Sequence, residues 1–251
     1  MMKAIILAAG LGSRLDEFGK KTPKCMITIF GKTLLERQIE IFHNCGISEI
    51  TVVTGHNSDL INYPDVDYIK NPNYSTTNMN ESLFCAKEKF DDSILISYSD
   101  IIYEQKIIEK ILKSDHDFSL GVRLEWKKYY ENRTQHPLSE AENVVIDDNK
   151  IINLKKNISS CLQNQEIGEF LGIIRMTEKG ISQLLEKYLE LKNRKIEKFH
   201  TSKSLEQAYL TDMLQEMIDC GTILNPVILN DLWFEIDTIE DLRKAEKLLK
   251  I

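Results

Sequence analysis

Two cations and two carboxylates, far apart along the chain, stand in settings suited to phosphate chemistry. Residues 3–15 read K-A-I-I-L-A-A-G-L-G-S-R-L, an apolar run entering a loop that holds Gly10 and Gly12. Glycines there let backbone N–H groups approach a polyphosphate without side-chain obstruction. Arg14 lies in the same loop, and Lys24 follows in T-P-K-C-M, where Pro23 restricts the backbone just before it. Two cations on one loop can clamp adjacent phosphates. The spacing excludes two familiar loops: no lysine follows Gly12 as G-x-x-x-x-G-K-[S/T] demands, and Leu15 stands where a dinucleotide fingerprint needs a small residue. Taken singly, Arg14 and Lys24 also read as solvated charges on a surface loop.

The carboxylates are Asp100, closing the apolar run 93–99, and Asp237, closing 233–236 just before Thr238. In open α/β sheets ligands gather at the carboxyl ends of strands, so two such residues can converge despite their separation in sequence. Alone, Asp237 also reads as a turn residue at a helix start.

These side chains need a scaffold, and the order of patterns supplies one. Strands are predicted at 3–8, 49–54, 66–70, 93–98, 118–124, 170–176, 223–229 and 233–236. Several are continuous Ile/Val/Leu runs, as expected where helices cover both faces of a sheet. Thr33 with Glu36, and Thr238 with Asp241, are capping pairs that start helices, and Leu35, Ile39 and Phe42 give the first of these a buried stripe. The alternation favours an α/β sandwich on a mostly parallel sheet. Around residues 125–160 the pattern loosens, and 147–150 (D-D-N-K) reads as a turn between two strands. We expect a single domain over residues 1–251, with 125–160 as an insertion or lid.

Composition narrows the classes. Apolar residues make up 42% and charged residues 28%, ordinary globular usage, and no apolar run approaches the roughly 18 residues of a membrane span. A net charge of -7 without a basic stripe disfavours nucleic-acid binding. Five scattered cysteines with no C-x-x-C pair read as free thiols. The opening residues lack the apolar segment and cleavage site of a signal peptide, so a cytoplasmic location is expected.

The opening loop, T-P-K, the G-K-T-L-L-E-R-Q helix start, Asp100 and the closing W-F-E-I-D-T-I-E-D-L together resemble the nucleotidyltransferases that make nucleotide-activated sugars, alcohols and phosphonates. The resemblance covers most of the chain, and within the family it is nearest to cytidylyltransferases acting on phosphocholine and 2-aminoethylphosphonate. It implies a Rossmann-like three-layer sandwich with a mixed, mostly parallel sheet and a small insertion on the acceptor side. The implied reaction is CMP transfer from CTP to the phosphate or phosphonate of a small amine-bearing metabolite, of phosphoglutamine, aminoethylphosphonate or phosphocholine type, releasing pyrophosphate. It implies Mg²⁺ held by Asp100 and Asp237, with Lys24 neutralising the α-phosphate and acceptor and Arg14 holding pyrophosphate.

The resemblance also places nucleotide contacts. Leu7, Ala8, Ala9, Gly10, Gly12 and Ser13 line the opening, and Asn78, Asn80, Ser82 and Asp100 complete the nucleotide site. The stretch 71–82 (N-P-N-Y-S-T-T-N-M-N-E-S) offers amides and hydroxyls that can pair with cytosine, although Asn80 also reads as plain cap chemistry. Residues 126–142 and the G-E-F-L-G of 168–172 resemble an acceptor region: Arg133 or His136 would grip a phosphoryl group, and Glu140, Glu142 or Glu169 an ammonium. Each of these also reads as a solvated charge. A sugar-1-phosphate nucleotidylyltransferase and a non-catalytic nucleotide-binding subunit stand as alternatives. CTP and the acceptor are the expected partners, without nucleic acid or membrane, and a homodimer is left open.

Overall fold

The computed structural model describes residues 1–10, 12, 22–131, 133–194 and 196–249. Strands in chain order are β1 (Met2–Ala8), β2 (Thr28–Ile29), β3 (Lys32–Thr33), β4 (Glu49–Thr54), β5 (Asp67–Lys70), β6 (Ser93–Tyr98), β7 (Ile101–Tyr103), β8 (Phe118–Arg123), β9 (Glu142–Asp147), β10 (Lys150–Lys156), β11 (Glu166–Met176), β12 (Asn225–Ile228) and β13 (Trp233–Glu235). The α-helices are α1 (Leu34–Asn44), α2 (Met79–Cys85), α3 (Gln105–Leu112), α4 (Lys127–Tyr130), α5 (Glu178–Asn193), α6 (Leu210–Asp219) and α7 (Ile239–Leu248).

Nine of the described strands form one sheet along the path β10-β9-β11-β6-β1-β4-β5, with β8 beside β11 and β12 beside β8. Strand β1 lies at its heart, with Ala4, Ile5, Ile6, Leu7 and Ala8 buried between β4 and β6 in parallel register. Side chains apolar on both faces of β1 need cover from both sides, and helices provide it in the α/β sandwich predicted from the alternation, of the Rossmann-like form that the resemblance implies. The sheet is mixed: β5-β4-β1-β6 is parallel, whereas β11 runs antiparallel to β6, β8 and β9. All eight predicted strands are present, and β11 begins four residues earlier than predicted, at Glu166, where its first half pairs with β9. The predicted turn at 147–150 joins β9 to β10, which extend the sheet edge, and before them Trp126, Tyr130 and Ala141 form a small core of their own. Among the described residues no helix is long and apolar enough to cross a membrane.

Both predicted capping boxes form. The Glu36 N–H donates to the Thr33 hydroxyl at 3.0 Å, and the Asp241 N–H to the Thr238 hydroxyl at 3.2 Å. Helix α1 has a second task. The buried amide of Gln38 donates to the carbonyls of Tyr98 (3.0 Å) and Ile101 (2.9 Å) and accepts from the Ser97 hydroxyl (3.0 Å). It satisfies backbone groups released where β6 ends and the chain breaks into residues 99–100.

Beyond that break, β7 pairs with β13 as Ile101↔Glu235, Ile102↔Phe234 and Tyr103↔Trp233, and the Ile236 N–H donates to the Asp100 carbonyl at 2.8 Å. This ribbon carries residue 237 across 137 positions of sequence to residue 100. Strand β13 is further fixed by buried Arg123, whose guanidinium donates to the carbonyls of Asp231 and Trp233 and lies 4.2 Å over the Tyr129 ring.

Strand β11 spans both halves of the sheet by bending at Gly172, where its register against β8 shifts between Phe170 and Ile174. Gly172 has φ +70°, and an added Cβ would come within 2.6 Å of the Tyr98 ring. Gly172→Ala is therefore expected to lower stability by at least about 2 kcal/mol, from left-handed strain together with overpacking. The measurement is the urea-unfolding midpoint, and a midpoint equal to wild type would show that the bulge relaxes freely.

Candidate active site

The break after β6 and the loop after β1 open onto one cleft at the carboxyl ends of the parallel strands, where α/β sheets bind ligands. Gly55, after β4, keeps this end compact, since a Cβ there would lie 2.6 Å from the Ala9 carbonyl oxygen. Two adjoining cavities share Gly10, Lys24, Asn78, Met79, Tyr98 and Asp100. One, of about 250 Å³, is walled by Leu7, Ala8, Ala9, Tyr74, Thr77, Ser82 and Ser99. The other, of about 310 Å³, is walled by Gly12, His136, Glu140, Glu142, Lys156, Tyr209, Glu235 and Asp237.

At their junction the Lys24 ammonium bonds both Asp100 and Asp237, carboxylates delivered by the ends of β6 and β13. Burial works against the Lys24 charge, but Asp100, Asp237 and Glu235 outweigh it and hold the pKa above the ordinary lysine value. Burial, then the neighbouring Asp237 and Asp100, push Glu235 well above the usual carboxylate range. One lysine therefore faces three acidic groups. Asp100 Oδ1 is buried with no hydrogen-bond partner among the described residues, and Glu235, Asp237 and His136 offer donor atoms within 4.8 Å of one another. An orphaned carboxylate oxygen amid further oxygen donors fits a hard divalent cation.

The sequence-predicted residues divide by placement. Leu7, Ala8, Ala9, Gly10, Asn78, Ser82 and Asp100 line the smaller cavity, although Asn78 caps α2 by accepting from the Met79 N–H at 2.8 Å. The Ser82 hydroxyl accepts from Asn71 at 2.9 Å. Asn80 lines neither cavity; its amide is buried, with no partner among the described residues. Arg14 and Ser13 lie outside the described residues.

Arg133 is not on the cleft wall. It is buried behind it, donating from Nε to Asp241 at 2.8 Å and lying 4.8 Å over the Tyr130 ring. A guanidinium so enclosed stands behind the residues that line the cavity. Burial disfavours the Asp241 charge, yet hydrogen bonds from His136 and Arg133 hold its pKa well below the usual range. His136 does line the larger cavity, with Nδ1 2.7 Å from Arg133 and 3.2 Å from Asp237.

Of the three glutamates, Glu140 and Glu142 line the larger cavity. Glu169 joins them around a small adjacent recess with Tyr98, Tyr130 and Trp233. Burial pushes Glu142 up to about 7 despite Lys156 and two hydroxyl donors. Sequence reasoning missed Glu235, Lys156, Tyr98 and Tyr209. Glu235 stood inside the closing motif two residues before Asp237, and its spacing on one strand face was the available signal.

A family model, the MobA-like NTP transferase domain, matches residues 4–139. The chain is 31% identical to the CTP:phosphoglutamine cytidylyltransferase of Campylobacter jejuni, covering 96% of this chain and 98% of that one. It is 26% identical to the choline-phosphate cytidylyltransferase of Streptococcus pneumoniae over 99% of each chain. The solved CTP:phosphocholine cytidylyltransferase of S. pneumoniae shares the fold, with a TM-score of 0.71, 21% identity and 99% of each chain covered.

Glu169 yields a pH-dependent prediction. Burial raises its pKa from 4.5 to about 7. The folded state then binds the extra proton, so stability falls as pH rises through that window and stays reduced above it. Glu169→Gln keeps an acceptor for the Tyr130 hydroxyl and removes the titration. Relative to wild type, the variant should gain up to about 3 kcal/mol between pH 5 and pH 8, read from unfolding midpoints. A difference independent of pH would reject the buried protonated carboxyl.

Proposed function

The chain belongs to the MobA-like NTP transferase family, and on that premise we propose that it is a magnesium-dependent cytidylyltransferase. It moves CMP from CTP to the phosphate or phosphonate of a small amine-bearing metabolite and releases pyrophosphate. The observation that carries this reading is the meeting of Lys24, Asp100 and Asp237 at the mouth of the Gly10–Gly12 loop. The cytidylyltransferase relatives, matched almost end to end, support the choice of reaction.

An acceptor phosphoryl oxygen is already anionic, so it attacks the α-phosphorus without a general base. The bond to the β-phosphate breaks, and its electrons leave with pyrophosphate. The chain's contribution is to position and to neutralise. Lys24 offsets charge on the α-phosphate and the incoming acceptor, and Arg14 is assigned to the departing pyrophosphate on sequence alone. Three acidic groups and one lysine leave the junction net negative, which would repel polyanionic substrates. Asp100 and Asp237, with Glu235 beside them, would hold Mg²⁺. When bound, this ion supplies charge neutralisation and orientation of phosphate oxygens. Thr77, Asn78 and Ser82, at the start of α2 and just before it, form the base pocket with Leu7 to Ala9 in this reading. Residues 125–160 form the acceptor-side wall of the single domain.

The test is pyrophosphate release from each nucleoside triphosphate against a panel of phosphorylated amines and sugar 1-phosphates. CTP should exceed UTP by at least about tenfold in kcat/KM. Equal use of UTP would reject the base pocket, turnover of sugar 1-phosphates alone would select the sugar nucleotidylyltransferase, and no release with any pair would favour a binding subunit. Asp100→Asn and Asp237→Asn should each lower kcat at least about hundredfold and weaken Mn²⁺ binding measured directly, with unfolding midpoints little changed. Normal metal affinity in either variant would remove that residue from the ion site.

A further inference from the structure

A cluster of metal-binding side chains lies outside the cleft, where the C-terminal end of α6 meets the loop that precedes this helix. His200, Glu216 and Asp219 each offer a donor atom, and the three atoms lie within 4.8 Å of one another. His200 Nε2 stands 2.9 Å from a Glu216 carboxylate oxygen, and both side chains are 20% exposed. Glu216 and Asp219 are three positions apart on α6 and so share a face. Each donor is also positioned by a neighbour. Gln215 donates to Asp219 at 2.7 Å. His200, at φ +48°, sits in a tight turn closed by paired backbone hydrogen bonds between Phe199 and Ser202. Asp212 fastens that turn to α6, accepting from the Thr201 N–H at 3.1 Å and from the hydroxyls of Thr201 and Ser202 at 2.7 Å each.

The last turn of α6 carries these two carboxylates and no basic residue, although the helix dipole already makes that end negative. A divalent cation there offsets both. An imidazole beside two carboxylates suits an ion of the zinc type, whereas magnesium and calcium take oxygen ligands. Ligands on one zinc ion lie about 2 Å from it, and rotation of the exposed Asp219 side chain is enough to draw the three donors in. We propose that His200, Glu216 and Asp219 form a second metal site, for a divalent transition ion of the zinc type, separate from the one assigned to the cleft. The site stands independently of the CMP-transfer reading. Its role is structural. Residues 199–209 run from the turn to the cleft, where the carbonyls of Glu206 and Ala208 accept from the N–H groups of Asn78 (3.0 Å) and Asn80 (3.3 Å), and Tyr209 lines the larger cavity. An ion joining His200 to α6 anchors the far end of that segment.

The test titrates the untagged full chain, stripped of metal by a chelator, with Zn²⁺ and with Co²⁺. Excess Mg²⁺ occupies the cleft of the wild type, and a protein carrying both Asp100→Asn and Asp237→Asn removes that site altogether. Each should still bind one equivalent of Zn²⁺, and Co²⁺ should show the visible absorption of a four- or five-coordinate ion. Loss of an outer-shell partner alone weakens metal binding tenfold or more, so His200→Asn and Glu216→Gln should each cost at least about tenfold in Zn²⁺ affinity. Asparagine tolerates the left-handed backbone, so His200→Asn keeps the turn. Zn²⁺ should raise the unfolding midpoint and slow amide hydrogen exchange across 199–209 in the wild type, and do neither in His200→Asn. The proposal is overturned if no Zn²⁺ binds once the cleft is blocked or removed, or if His200→Asn keeps the parental affinity. Cys220 Sγ lies 3.6 Å from Glu216. Loss of affinity in Cys220→Ser with none in His200→Asn would put the ion on that thiol and overturn the ligand set.

Discussion

A three-residue ribbon holds the site together. Pairing of β7 with β13, continued by the Ile236 N–H on the Asp100 carbonyl, sets two acidic side chains side by side with backbone hydrogen bonds. Side chains alone would not bring them there, because like charges in a partly buried setting repel. The cost is offset by Lys24 between them, and the ribbon is braced at both ends. Gln38 of α1 satisfies the carbonyls around the break after β6, and Arg123 of β8 grips the carbonyls that lead into β13. Truncating either brace would leave buried backbone acceptors unpaired, each worth on the order of 1–3 kcal/mol.

The larger cavity sets two cations among a majority of acidic groups. Net charge is -7, yet Lys24 and Lys156 both face the larger cavity. Around them lie acidic groups of two kinds. Asp100 and Asp237 share the Lys24 ammonium, whereas Glu142 and Glu169 are buried beside aromatic hydroxyls, and burial raises the pKa of both. The same residue types thus serve different ends according to solvent access and hydrogen-bond supply.

Much of this was legible in the sequence where the signal was local. Continuous apolar runs marked β1, β4 and β6, and capping pairs marked the starts of α1 and α7. Asp100 and Asp237 were legible as strand-terminal acids, and the strand-end rule for α/β sheets gave a reason to look for them together. What stayed hidden was long-range. β7 is three residues long and follows Asp100 directly, too short for a periodic signature, so the ribbon could not be foreseen. The placement of Arg133 was hidden for a related reason: its partner Asp241 is 108 positions away, and nothing near residue 133 announces a buried ion pair. Lys156 sits in a polar stretch, and its meaning comes from the register with Glu142, which the turn residues alone do not fix.

The hairpin of β9 and β10 occupies the outer margin of the sheet, where β10 has β9 as its ladder partner. The parallel strands β6, β1, β4 and β5 lie on the other side of β11, and the ribbon is a separate two-stranded sheet. The hairpin and the ribbon are therefore separate pieces of backbone, linked across the cleft by side chains such as Glu142 and Tyr98. Substitutions in the hairpin can reshape that wall of the cavity while the meeting of Lys24, Asp100 and Asp237 stays intact.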